Sequence, residues 1–219
     1  MDIERPPSIT NRVLLTFLLL MLRLYMRLHA QFARFLGLTL LVPPGCFTPI
    51  GTYSTWLVSR VLEASPSAEV AVEVGTGVGT LALLAAKRGA YAVGVEVSEP
   101  CLRAAKANAR RNSLDGLLDF VLCDAGSCLR SSSAGLVFTN PPYLPVDSEK
   151  PEDVPVAGGS DLSIFKKMLV NAVRIAKPGA PVVYSASNLT GLSIGKILLC
   201  ARTPIDEVCA YLVVRPRRR

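Results

Sequence analysis

The chain has 219 residues, half of them apolar, with 24 Lys+Arg against 17 Asp+Glu and a formal charge of +7. That apolar content excludes an intrinsically disordered chain, and 16 glycines are too few for a collagen repeat. The length fits one domain with an attachment, and a domain of about 150 residues buries about 70% of its unfolded surface, enough to fold without staples.

Residues 13–22 (VLLTFLLLML) form an apolar run of ten, half of the roughly 20 that a membrane span needs. Extending the run to Leu38 brings in Arg23, Arg27 and Arg34. Each would cost roughly 2.5–3.5 kcal/mol at a bilayer centre, so no transmembrane span is expected. Acids and bases both precede the run and no Ala-x-Ala site follows it, which argues against a cleaved signal peptide. Arg23, Arg27, Gln31 and Arg34 fall on one narrow helical face and the rest of the circumference is apolar. The expectation is an apolar helix over 13–36 that needs burial against its own domain, a partner or a bilayer surface. Val42-Pro43-Pro44-Gly45 then breaks the helix. Residues 1–45 thus read as an N-terminal helical extension and 46–219 as the main domain.

From residue 54 strand and helix alternate. A helix (STWLVSRVLEA) leads to Pro66, a strand covers 70–75 (VAVEVG), and a helix (TLALLAAKRG) follows the glycine-rich turn to about 89. A strand at 91–97 (YAVGVEV) precedes a helix with Pro100 in its first turn, ending near Asn112. Strands follow at 119–124 (DFVLCD) and 135–140 (GLVFTN), then a helix over 161–176 stopped by Pro178-Gly179, then a strand at 181–187 (PVVYSAS). After a short helical piece, KILLCAR and VCAYLVV read as a closing hairpin. Near-continuous apolar strands alternating with helices specify an α/β fold, a mostly parallel sheet of seven strands covered on both faces. Ligands of such sheets sit at the carboxyl ends of the strands.

Six cysteines are present with no Cys-x2-Cys pair, and the only histidine is His29. No metal site is expected. The cysteines read as buried small hydrophobes of an intracellular, cytoplasmic protein. A hyperthermophilic source would be the exception, with Cys200 and Cys209 the pair in question.

The strand ends carry the candidate chemistry. The first ends Glu73-Val74-Gly75-Thr76-Gly77-Val78-Gly79, where glycines allow a tight turn and close backbone approach to a ligand. The spacing is Gly-x-Gly-x-Gly, unlike that of a dinucleotide site. Glu96 ends the second strand, where a carboxylate can accept from a ribose diol. Asp124 ends the third and could accept from an adenine amino group. The fourth ends Asn140-Pro141-Pro142-Tyr143. Two prolines stiffen the turn and remove two N–H donors. The Asn140 oxygen and a carbonyl near Pro141 form an acceptor pair suited to a planar –NH2, and Tyr143 offers a flat face.

Together these residues resemble the class I S-adenosylmethionine-dependent methyltransferases, which implies a Rossmann-like fold. The specific likeness is to the HemK/PrmC-type release-factor glutamine methyltransferases, in particular their short archaeal and eukaryotic branch. Ala157-Gly158-Gly159-Ser160-Asp161 matches the family's Ala-Gly-Gly-x-Asp/Asn, and Phe47-Thr48-Pro49 its aromatic-Glu-Pro element. The resemblance covers about 46–214. It departs at Gly51-Thr52-Tyr53, where the family's acids are absent, at Leu162 in place of a glycine, and in the N-terminal helix. The resemblance implies that Glu73, Gly75 and Gly77 hold the methionine part of the cofactor, Glu96 the ribose, and Asp124 and Ala125 the adenine. It also implies that Asn140, counted among the cofactor-binding residues too, positions the substrate nitrogen with Pro141 and Pro142, and that Tyr143 packs on it. The implied acceptor is the glutamine of the Gly-Gly-Gln loop of a class I release factor, the implied product S-adenosylhomocysteine, and a small zinc-binding activator protein a partner. The alternative is a nucleic-acid N-methyltransferase acting on adenine N6 or guanine N2, which the net charge and the basic tail Arg215-Pro216-Arg217-Arg218-Arg219 would favour.

Overall fold

The computed structural model describes residues 9–28 and 31–216. His29 and the last three arginines of the basic tail, 217–219, lie outside the described residues. In chain order the elements are α1 (Ile9–Leu28), β1 (Phe32–Phe35), β2 (Leu38–Leu41), α2 (Tyr53–Ala64), β3 (Val70–Val74), α3 (Thr80–Lys87) and β4 (Tyr91–Glu96). They continue with α4 (Glu99–Arg111), β5 (Leu118–Leu122), β6 (Leu136–Thr139), α5 (Ser163–Ile175), β7 (Pro181–Ser187), β8 (Lys196–Arg202) and β9 (Glu207–Val214).

The seven-stranded sheet has the order β5-β4-β3-β6-β7-β9-β8. Its first five strands are parallel, and β9 enters antiparallel between β7 and β8. The order reverses at β3, where β4 lies on one side and β6 on the other. A crevice opens at the carboxyl ends of strands flanking such a switch point. Alternation along β3 shows why both faces are covered. Ala71 joins a core built with α3, α4 and Phe138, whereas Val72 and Val74 join one built with Phe165, Leu169 and Ile175 of α5.

The segment expected as a helix over 13–36 is corrected in part. The helix ends at Leu28, and residues 32–41 form an antiparallel hairpin in which Phe32 faces Leu41 and Phe35 faces Leu38. Leu36 and Gly37 make its two-residue turn, both at positive φ (46° and 77°), the conformation that suits tight hairpins. Asn108 and Asn112, one turn apart on α4, act on β2 as a neighbouring strand would. Asn108 accepts from the Leu41 amide (2.6 Å) and donates to its carbonyl (2.9 Å). Asn112 does the same for Thr39 (3.0 and 2.9 Å). These bonds satisfy an edge that would otherwise be open. Leu38, Leu40 and Val42 consequently share the core of the main domain, and Arg34 leaves the helical face of Arg23 and Arg27.

Helix α1 packs its Leu15, Leu19 and Met26 against Leu144 and Val156 of the loop after β6. Arg23 clamps Asp153 there in a two-pronged ion pair (Nε to Oδ1 2.5 Å, Nη2 to Oδ2 2.8 Å). Among the described residues no helix is long and apolar enough to cross a membrane.

The expectation of unpaired cysteines is also corrected. Cys46 bonds Cys101, Cys123 bonds Cys128, and Cys200 bonds Cys209. The last pair sits directly opposite across β8 and β9, as the hairpin reading allows. The first ties the segment before α2 to the start of α4, a contact that only tertiary packing creates.

Candidate active site

A cleft of about 390 Å³ opens at the carboxyl ends of β3, β4, β5 and β6. That volume lies within the range of small-molecule sites. At its floor β3 gives way to the glycine turn. Gly75 and Gly77 both take positive φ (72° and 54°), which side-chain-bearing residues rarely adopt. The amides of Gly75 and Thr76 donate to the Val95 carbonyl (2.9 Å each), fastening the turn to β4.

Glu73 is buried at this turn. Its Oε2 accepts from the Thr76 hydroxyl (2.6 Å) and the Ala82 amide (2.8 Å) in the first turn of α3. Burial pushes its carboxyl up to about 8, against the pull of those two donors and with Glu96 adding to the rise. Glu96 holds the lip of the cleft. Its Oε2 accepts from the Gly77 amide (2.8 Å), and its Oε1 from the amides of Val97 (2.8 Å) and Ser98 (2.9 Å). Asp124 is exposed and pairs with Lys167 of α5 across the mouth. Such an exposed pair is worth about 0–1 kcal/mol and yields readily to a ligand. Ala125 follows in the left-handed region (φ 49°) and lines the cleft beside it.

The Asn140 side chain is fixed on both sides. Its Oδ1 accepts from the Ser185 hydroxyl at the end of β7 (2.5 Å), and its Nδ2 donates to the Thr55 hydroxyl in the first turn of α2 (3.2 Å). The Thr139 hydroxyl donates to the Val74 carbonyl (2.7 Å), holding the end of β6 to β3. Pro142 lines the cleft together with Asn140 and Thr55, while Pro141 is buried outside the lining. Tyr143 departs from the expected placement. Its ring packs between the α5 core and the cluster under α1 rather than facing the cleft. Burial, with the charge of Asp206 adding to it, raises its phenol above the ordinary tyrosine range.

The Ala157-Gly158-Gly159 segment runs parallel to the loop after Asn140. The Gly158 amide donates to the Leu144 carbonyl (2.8 Å), and its own carbonyl accepts from Ile164 (3.0 Å). A Cβ on Gly158 would stand 2.7 Å from the Pro142 carbonyl oxygen. The glycine is thus required by the approach of one backbone to another. Asp161 accepts from the amide of Ser163, the first residue of α5 (2.8 Å).

Glu73, Gly75, Gly77, Glu96, Asp124, Ala125, Asn140 and Pro142 meet in one cleft, and Phe47 and Pro49 form part of its wall. Residues that strand-end reasoning missed are Thr55, Ser185, Lys167, Ile164 and Met168. They arrive from α2, β7 and α5, away from the strand-end motifs, so no local motif announces them. Carboxylates at the ends of β3 and β4, glycine backbone between them and apolar walls suit a nucleoside joined to a cationic tail. S-adenosylmethionine has that form, and the donor set fits it.

The methyltransferase small domain family matches residues 38–153, more than half of the chain. A release factor glutamine methyltransferase from Caulobacter vibrioides is 32% identical over 137 residues, 56% of this chain and 47% of that protein. A 23S rRNA (uracil(747)-C(5))-methyltransferase from Pyrococcus abyssi is 35% identical over 79 residues, 36% of this chain and 19% of that protein. In the case of the release-factor enzymes, the chain spans about half the length of the curated relatives it matches. Among solved structures, the T. thermophilus 16S rRNA N2 G1207 methyltransferase in complex with AdoMet and guanosine superposes with a TM-score of 0.61. Its identity is 20%, covering 86% of this chain and 50% of that one, so the likeness is one of fold.

Proposed function

We propose a reaction for this chain from one premise: it belongs to the methyltransferase small domain family. Its cofactor is S-adenosylmethionine, which when bound supplies an already activated methyl group and leaves as S-adenosylhomocysteine. The acceptor is a planar nitrogen, the side-chain amide of a protein glutamine in the Gly-Gly-Gln loop of a class I release factor.

The observation that carries this reading is the Asn140 amide at the end of β6, fixed between Ser185 and Thr55 on the wall of the cleft. An amide nitrogen is a poor nucleophile because its lone pair is delocalised. The Asn140 oxygen and a carbonyl of the proline turn accept from its two N–H bonds. Charge developing on the acceptor is then met by dipoles already in place. Alignment of nitrogen and methyl carbon supplies much of the remaining rate. Glu73, Gly75 and Gly77 hold the methionine part, Glu96 the ribose, and Asp124 and Ala125 the adenine. Phe47, Pro49 and Pro142 exclude water from the acceptor side.

The test is transfer of label from S-adenosylmethionine to a purified class I release factor. Label is expected in the wild-type factor and lost when its Gly-Gly-Gln glutamine is replaced. Turnover is expected from the chain alone, because α1 already covers the loop after β6. A requirement for a small zinc-binding activator would place that partner in the assembly. The second reading is N-methylation of exocyclic amino groups in RNA or DNA, favoured by the charge of +7. Label in RNA alone would select it.

A further inference from the structure

We infer that Ser185 and Thr55 are positioning residues that decide which end of the Asn140 amide meets the acceptor nitrogen. This rests on the reading of Asn140 as the group that receives the acceptor's N–H. A side-chain amide carries acceptors at one end and donors at the other. Rotated by half a turn, Asn140 would set its own N–H against the acceptor's N–H, and the site would repel what it should bind.

Both hydroxyls are enclosed. Ser185 is fully buried in β7, opposite Ala210 of β9, and Thr55 is 3% exposed. They lie 45 and 85 residues from Asn140 in sequence and bond the two ends of its amide. A hydroxyl can donate or accept, so the distances assign the ends. The 2.5 Å to Ser185 belongs to the O–H···O range and is too short for N–H···O, whereas the 3.2 Å to Thr55 suits N–H···O. Ser185 therefore donates to Oδ1 and Thr55 accepts from Nδ2. One lone pair on Oδ1 stays open for the acceptor. Ser185 is outside the cleft lining, so it acts through Asn140 and never touches substrate.

The experiment compares Ser185→Ala, Ser185→Thr and Thr55→Val with the wild-type chain, using the release factor as acceptor. Ser185→Ala is expected to lower kcat about tenfold, the factor that one net hydrogen bond carries. The Kd for S-adenosylmethionine should stay within twofold. Ser185→Thr keeps the hydroxyl and should recover most of the rate. Thr55→Val keeps the shape and should lose rate as Ser185→Ala does. An unchanged kcat in Ser185→Ala overturns the inference. So does a loss shared equally by cofactor affinity and not relieved by Ser185→Thr, which marks a packing role. A second readout separates this inference from the functional reading. In protein labelled with 15N-asparagine, the two Nδ2 protons of Asn140 should give separate, slowly exchanging signals. They should shift in Thr55→Val and exchange faster in Ser185→Ala. If the wild-type chain methylates no acceptor, the functional reading fails, and these signals still decide the orientation. Signals unmoved by either substitution overturn it.

Discussion

Glu73 is a carboxyl placed where water cannot solvate its charge, and its elevation to about 8 gives it a sign that can be checked. In the unfolded chain such a group loses its proton near its ordinary value of about 4.3. Between there and 8 the folded state binds more protons than the unfolded one, so its contribution makes stability fall as pH rises through that window. Glu73→Gln keeps the shape and removes the charge. Its denaturation midpoint should fall less than that of the wild-type chain between pH 5 and pH 8.5. Identical slopes for the two proteins would mean that Glu73 is ionised throughout. A cationic tail bound beside Glu73 favours the charged form. Cofactor binding at pH 7.5 should therefore release a proton, read by calorimetry as a binding heat that changes with the buffer's ionisation enthalpy. Glu73, Glu96, Asp124 and Asn140 were legible in the sequence because parallel strands bring their ends to one edge. Ser185, Thr55 and Lys167 were not. They come from β7, α2 and α5, and their relation to Asn140 or Asp124 exists only after folding.

At the scale of elements, the loop after β6 is held from two sides. On one side lies the Ala157-Gly158-Gly159 segment. Gly158→Ala puts a methyl 2.7 Å from the Pro142 carbonyl oxygen, and backbone there yields only by moving Pro142. Overpacking of this kind costs about 1–3 kcal/mol. The substitution should lower the melting temperature and, under the proposed reaction, in which Pro142 faces the acceptor, reduce kcat more than it weakens cofactor binding. Normal kcat in a destabilised variant would detach the glycine from the site. On the other side lies α1, through Arg23. The guanidinium of Arg23, with the amides of Glu149 and Lys150, holds Asp153 down to about 2. This contribution is present above the ordinary carboxyl range and is lost as pH falls from about 4 towards 2. Hydrogen exchange of α1 amides should accelerate in that window. In Arg23→Ala it should be at least tenfold faster at pH 6. Equal exchange in the two proteins would show that apolar contact with Leu144 and Val156 alone seats the helix. The apolar character of this N-terminal segment was plain from sequence, and its end was not. Helical periodicity over 13–36 masks the Leu36-Gly37 hairpin turn, because the bonds that favour the hairpin come from Asn108 and Asn112, far along the chain.

For the whole molecule, the sequence pattern contained the alternation of elements and hence the sheet, including the hairpin that ends it. It contained no cysteine connectivity, since six cysteines allow 15 pairings and spacing selects among them only for neighbours. The Cys46–Cys101 bond closes a loop of 55 residues, where chain-entropy reasoning assigns about 4 kcal/mol of stabilisation. It also matters to the site. Cys101 and Cys123 line the cleft, and Cys46 precedes Phe47 and Pro49 of its wall. Cys46→Ser should therefore lower the melting temperature by about 10 °C, as expected for a chain of this size, and weaken cofactor binding as the wall loosens. Cys200→Ser should cost less, because its bond joins strands that β-pairing already holds together, and should leave cofactor affinity unchanged. Thiol titration of the unfolded chain without reductant gives the direct check. Six free thiols would show that these pairs are contacts rather than bonds. No free thiols, together with the larger effect at Cys46, would make the covalent tie between the Phe47–Pro49 wall and α4 part of what keeps the cleft in shape.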